Sequence, residues 1–93
     1  MQATGKSEIK SFLDEFKIKM KTFGIVFKDR EKNIQALYDL EITAIQRNEY
    51  LLSLRVEDYY RGPKTDSFDP ESSSFWEFGI TIRRKQVFIK ISL

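Results

Sequence analysis

The chain contains no cysteine and no histidine in its 93 residues. The first absence excludes disulfides, thiol nucleophiles and thiolate metal sites. The second removes both the commonest acid–base side chain and the commonest metal ligand. Any chemistry must therefore rest on Glu, Asp, Lys, Arg, Tyr or Ser, and no cofactor is implied. No Walker, dinucleotide or triad motif is present. No apolar run approaches membrane length, and the start lacks the apolar region of a signal peptide. The chain reads as cytoplasmic, mature from residue 1, with no membrane partner. A net charge of +2 is too small to argue for nucleic acid by itself. Lysines 6, 10, 17, 19 and 21 cluster early, and Arg83, Arg84, Lys85 and Lys90 cluster late, with acids interspersed in both halves.

This length supports one domain, residues 1–93, with residues 1–6 expected to fray. Ser7 can cap a helix over residues 7–21, because Ile9, Phe12, Leu13, Phe16 and Met20 form one stripe at helical spacing. Gly24 interrupts it, and the β-branched and aromatic residues 23–27 predict a short strand. Asp29 is placed to cap a second helix with Ile34, Leu37 and Tyr38 inward. Thr43 and Gln46 have capping-box spacing for a third helix to residue 54, burying Ile45, Leu51, Leu52 and Leu54. Gly62-Pro63 signals a turn, and residues 64–74 a long loop. Residues 75–82 and 87–93 alternate as two strands, joined by a polar turn that lacks the Gly or Asn of a type I′ hairpin. The expected fold is α+β, with helices on one face of a small, mostly antiparallel sheet.

In the last strand Val87, Ile89, Ile91 and Leu93 share one face, while Phe88, Lys90 and Ser92 share the other. Glu77 and Thr81 fall on the matching open face of the preceding strand, and Arg61 and Lys64 approach from the segment before it. A carboxylate, several cations and aromatic rings suit cleavage of RNA. Glu77 can take the ribose 2′-OH proton, and Arg61 can grip phosphate. Lys90 or Lys64 can stabilise the phosphorane or protonate the leaving oxygen. Phe88, Tyr59 and Tyr60 can stack on bases. Each residue also has a plainer explanation. Glu77 can pair with Lys90 across the hairpin, Arg61 can cap helix carbonyls, and Tyr59 and Tyr60 can belong to the edge of the core.

The ordered set Asp58-Tyr59-Tyr60-Arg61, then Phe75-Trp76-Glu77, then Val87-Phe88-Ile89-Lys90-Ile91 resembles the MqsR-type mRNA interferase toxins. These are toxin halves of bacterial type II toxin–antitoxin pairs, and their fold is similar to that of RelE-like ribonucleases. The resemblance is sharpest over residues 51–93 and looser over residues 7–50. It implies metal-independent endonucleolytic cleavage of mRNA, and inhibition through a complex with a cognate antitoxin. It places functional groups at Arg61, Glu77, Phe88 and Lys90. Three of these depart from the family pattern, with Arg for Lys at 61, Glu for Gln at 77 and Phe for Tyr at 88. The alternatives are a module that binds RNA or protein through the same face without cleaving, and a structural partner built on the loop 64–74.

Overall fold

The computed structural model describes residues 5–27, 30–65 and 74–93. The elements run α1 (Lys6–Phe23), α2 (Arg30–Leu40), α3 (Ala44–Leu52), a 3₁₀ turn (Val56–Asp58), β1 (Tyr59–Lys64), β2 (Phe75–Ile82) and β3 (Lys85–Ile91). The strands form one antiparallel sheet in the order β1-β2-β3. The architecture is α+β.

The stripe Ile9, Phe12, Leu13, Phe16 and Met20 lays α1 on one sheet face and is buried there. The Phe12 ring stacks on Trp76 at 4.5 Å and on Phe78 at 6.0 Å between centroids. Leu51, Leu54 and Ile91 complete this core, and Leu54 and Phe78 are fully enclosed. Lys17 donates to the Leu54 carbonyl at 2.6 Å, which ties α1 to the chain leaving α3. Among the described residues no helix packs on the opposite sheet face, toward which Glu77, Phe88 and Lys90 point.

The helix caps are set by local chemistry. The N-cap of α1 is Gly5, and Ser7 lies inside the helix, so the cap expected at Ser7 sits two residues early. Lys6 is helical, which shortens the segment expected to fray; residues 1–4 lie outside the described residues. The Thr43 hydroxyl accepts from Gln46 N–H, and Gln46 Oε1 accepts from Thr43 N–H, which forms the expected capping box. The helix it opens ends at Leu52, two residues before the expected end. At the end of α2, Glu41 N–H bonds to the Tyr38 carbonyl and Ile42 N–H to the Leu37 carbonyl. This is a Schellman closure, with Glu41 at φ 57° where glycine is usual.

Several expectations do not survive tertiary packing. Residues 24–27 form no strand, and Phe23 ends α1. Ile25 and Phe27 pack toward the core and Val26 is 94% exposed, but no described strand pairs with them. β-propensity without a neighbouring edge leaves the backbone bonds of a strand unmade. The expected inward face of α2 is also open: Ile34 and Tyr38 are exposed, Leu37 is half-buried, and the helix buries no residue. Ile45 is likewise exposed. The Asp29 cap, and residues 66–73 of the long loop, lie outside the described residues.

Gly62-Pro63 lies within β1 rather than in a turn. A Cβ on Gly62 would come within 2.8 Å of Trp76 Cα, and its φ is +127°. Only glycine lets β1 approach β2 so closely. Pro63 is tolerated because β1 is an edge strand. The β2–β3 turn places Arg83 and Arg84 at φ 49° and 71°. Two positive φ values are what a type I′ turn requires, despite the absence of Gly or Asn. Replacing Arg83-Arg84 by Asn-Gly relieves this conformation. The expected gain is about 1 kcal/mol, or about 4–8 °C in the thermal midpoint, read by calorimetry.

Candidate functional site

The open face is organised by strand register. Arg61 lies opposite Glu77 on β2, and Glu77 lies opposite Lys90 on β3. These three residues form a row across the whole sheet. Period-two alternation puts Phe75, Glu77 and Gly79 on this face of β2, and Gln86, Phe88 and Lys90 on this face of β3. The register of β1 shifts between Tyr59 and Arg61 and again between Arg61 and Lys64. The first shift lets consecutive residues Tyr60 and Arg61 both reach the open face, as a bulge allows.

Within the row, Arg61 Nε donates to Glu77 Oε1 at 2.5 Å. The Glu77 residue is only 7% exposed, whereas the Arg61 side chain is 43% exposed. The carboxylate is therefore covered and its partner cation faces outward. Lys90 is in register with Glu77 but does not form the ion pair expected across the hairpin; its Nζ lies 4.8 Å over the Phe75 ring. The Arg61 guanidinium carbon lies 6.0 Å from the same ring and 5.7 Å from the Tyr60 ring. Thus both cations lie within 6.0 Å of the centre of the Phe75 ring. Arg61 is not a helix cap.

Tyr60 and Phe88 form a second cluster. Their ring centroids are 4.9 Å apart with a tilt of 51°, and both residues are more than half exposed. The Phe88 ring lies over Gly79, where a Cβ would meet ring carbons at 3.1–3.2 Å. Glycine at 79 leaves the space in which that ring settles against the sheet.

Tyr59 faces the other way. Its ring packs edge-on against Trp76 and Phe78 on the helix-covered side, and its hydroxyl donates to the Gly62 carbonyl at 2.7 Å. The expectation that Tyr59 stacks on a base is corrected: the register that puts Tyr59 opposite Phe78 turns it to the core. Lys64 is exposed and in register with Phe75 at the end of β1. Thr81 is opposite Gln86, near the turn and away from the row. Phe75 joins the site residues: period-two alternation with Glu77 puts it on the same face, and its ring lies near both cations.

The face thus offers two cations, an exposed phenol and a pair of apolar rings on a rigid strand scaffold. Among the described residues no cluster of Asp and Glu is placed to hold a metal ion, and no helix is long and apolar enough to cross a membrane. Comparison with protein-family models, curated proteins and solved structures gives no match to this chain.

Proposed function

We propose that the chain is a cytoplasmic endoribonuclease of the interferase type, the toxin half of a toxin–antitoxin pair, acting on single-stranded mRNA through the open sheet face. The observation that carries this reading is the row Arg61–Glu77–Lys90, flanked by the exposed Tyr60–Phe88 rings. The resemblance of the motifs around them to the MqsR-type toxins supports the same reading through the retained Lys90, whereas Arg61, Glu77 and Phe88 depart from the family pattern.

In the proposed reaction the ribose 2′-oxygen loses its proton and attacks the adjacent phosphorus. The P–O5′ bond breaks, and the 5′-oxygen leaves with a proton. The products are a 2′,3′-cyclic phosphate and a 5′-hydroxyl. Arg61 and Lys90 both lie near the Phe75 ring and neutralise charge on the phosphorane oxygens. A base stacks on the Tyr60–Phe88 pair. Glu77 is covered and bound to Arg61, so it acts as a positioning residue that fixes the guanidinium rather than as the base. The phenol missing at position 88 has a substitute in Tyr60, whose ring contacts Phe88 and whose neighbour is Arg61. Tyr60 is assigned proton transfer at the 2′-oxygen, accepting that proton as its own phenolic proton passes to solvent, and the Lys90 ammonium supplies the proton that leaves with the 5′-oxygen. Tyr59 is not, because its hydroxyl is engaged with Gly62.

Induced expression in a bacterial host tests the reading. The parent chain is expected to arrest growth. Lys90→Ala, which is exposed and leaves the core untouched, should relieve the arrest at equal protein level. Growth unchanged by the parent would count against a toxin. The second reading, a module that binds without cleaving, is favoured by the engagement of Glu77 with Arg61. Under it, RNA binds with a steep salt dependence but no cyclic phosphate forms.

A further inference from the structure

The side of the sheet that α1 covers is not closed along the β3 edge. A cavity of about 920 Å³ runs from the end of α1 past residues 24–27 and α2 to β3. Its floor is apolar, with Met20, Leu37, Leu51 and Ile89 among the side chains lining it. The surrounding surface is apolar as well: Phe23, Val26, Ile34 and Tyr38 are each more than 60% exposed. α2 is held across this gap by polar ties. Arg47 donates to Asn33 at 2.7 Å while lying 4.0 Å over the Phe27 ring, and Lys85 donates to the Asp39 carbonyl at 3.0 Å. These contacts fix the helix without filling the space beneath it.

Two further features specify what would fill it. First, β3 is an edge strand: β2 pairs with one side, and no described strand pairs with the other. The cavity follows that free side and touches residues of both sheet faces, Ile89 and Ile91 on one and Phe88 and Lys90 on the other. An occupant can therefore make backbone hydrogen bonds to β3 while inserting alternate side chains into the apolar floor. Second, the charged residues lining the cavity among those described are Lys19, Arg47 and Lys90, all cations, of which Lys19 also pairs with Glu15 at 2.9 Å. Burial lowers the Arg47 pKa from its ordinary value, but an arginine remains cationic at neutral pH. A second copy of the chain would bring Lys85 and Lys90 of its own β3 to a rim that is already positive.

We infer that the free edge of β3 and the adjoining groove take an extended segment of another protein, in which apolar residues alternate with carboxylates. The segment adds a fourth strand to the sheet. Its apolar side chains enter the groove, and its carboxylates meet Lys19, Arg47 and Lys90. This inference rests on the groove and the strand edge rather than on the cleavage chemistry. It bears on the proposed function in one respect: such a strand lies beside Lys90, so a partner bound there would also obstruct the open face.

The test uses the isotopically labelled full chain and three blocked seven-residue peptides. One alternates Val and Glu, one alternates Val and Lys, and one is the Val–Glu peptide N-methylated at alternate residues. Titration followed by amide shifts and hydrogen exchange is expected to show saturable binding of the Val–Glu peptide. Amides of β3 that point away from β2 should gain exchange protection. The Val–Lys and N-methylated peptides should bind at least ten-fold more weakly, as should the Val–Glu peptide to Lys19→Glu. Equal affinity for all three peptides, or no saturation by the Val–Glu peptide, overturns the proposal. So does concentration-dependent protection of β3 without peptide, which would assign the edge to a second copy. No RNA enters the titration, so its outcome is separate from that of the ribonuclease reading.

Discussion

Arg61→Ala is expected to lower RNA cleavage by about 10²–10³-fold, the usual cost of removing one preorganised donor to a charged transition state. The substitution has a second consequence, because Glu77 is 7% exposed and loses the partner of its carboxylate. An unpaired buried acceptor costs about 1–3 kcal/mol, and the 43% exposure of the Arg61 side chain argues for the lower end. Loss of activity alone would therefore confuse chemistry with stability. The double variant Arg61→Ala/Glu77→Leu separates them, since removing both members of such a pair is often close to neutral. It should recover most of the thermal midpoint and none of the cleavage. Recovery of cleavage along with stability would show that Arg61 serves the fold alone. Calorimetry beside a single-turnover cleavage assay reads both quantities.

Phe78→Ala carries the largest expected cost to the fold. Phe78 is fully buried, stacked 6.0 Å from Phe12 and met edge-on by Tyr59 at 6.2 Å. Truncating such a residue removes transfer energy and leaves a cavity, at a cost of about 3–5 kcal/mol. A domain of this size has about 5–15 kcal/mol in total, so the variant should melt at least about 12 °C lower. The open face should deteriorate with it, because Phe78 is adjacent to Glu77 on β2 and opposite both Tyr59 and Ile89. Urea unfolding of this variant beside Phe88→Ala gives the contrast. Phe88 is half exposed on the open face, and its loss should cost far less.

These two residues also illustrate which parts of the molecule could be read from the sequence. The α1 stripe and the alternation of β2 and β3 are strong periodic signals that mark that buried stripe, Phe78, Ile82 and Ile91. Leu93, expected on the buried face, is nonetheless exposed, and Glu77, on the other face, is buried. Thr43 and Gln46 are equally legible, since a capping box is closed by residues three apart. Local signals misled where the deciding contact is remote. Residues 23–27 have the composition of a strand, but pairing depends on an edge that the chain does not bring alongside. Ile34 and Tyr38 look like core residues of α2, yet the space beneath that helix is unfilled. Gly62-Pro63 reads as a turn because its strand conformation depends on the backbone of Trp76 lying 2.8 Å from where a Cβ would stand.

The site was legible in outline only. Alternation placed Glu77, Phe88 and Lys90 on one face, and they do share it. It could not foresee the bulge in β1 that turns Tyr60 and Arg61 outward together and leaves Tyr59 inward, because a bulge changes the count of residues between strands. Nor could it foresee that Glu77 would be buried and paired with Arg61 while Lys90 settles over Phe75. Those contacts depend on a three-strand register set by sequence-distant partners. They move the proposed proton-transfer role from Glu77 to Tyr60.

The central claim is that this face cleaves RNA with its own side chains. The most direct measurement incubates the purified chain with a panel of end-labelled RNAs in excess chelator and identifies the product termini. The account predicts fragments ending in a 2′,3′-cyclic phosphate, formed by the parent and reduced at least about 10²-fold in both Tyr60→Phe and Lys90→Ala. Intact RNA after incubation with the folded parent, or cleavage unaffected by both substitutions, would contradict it.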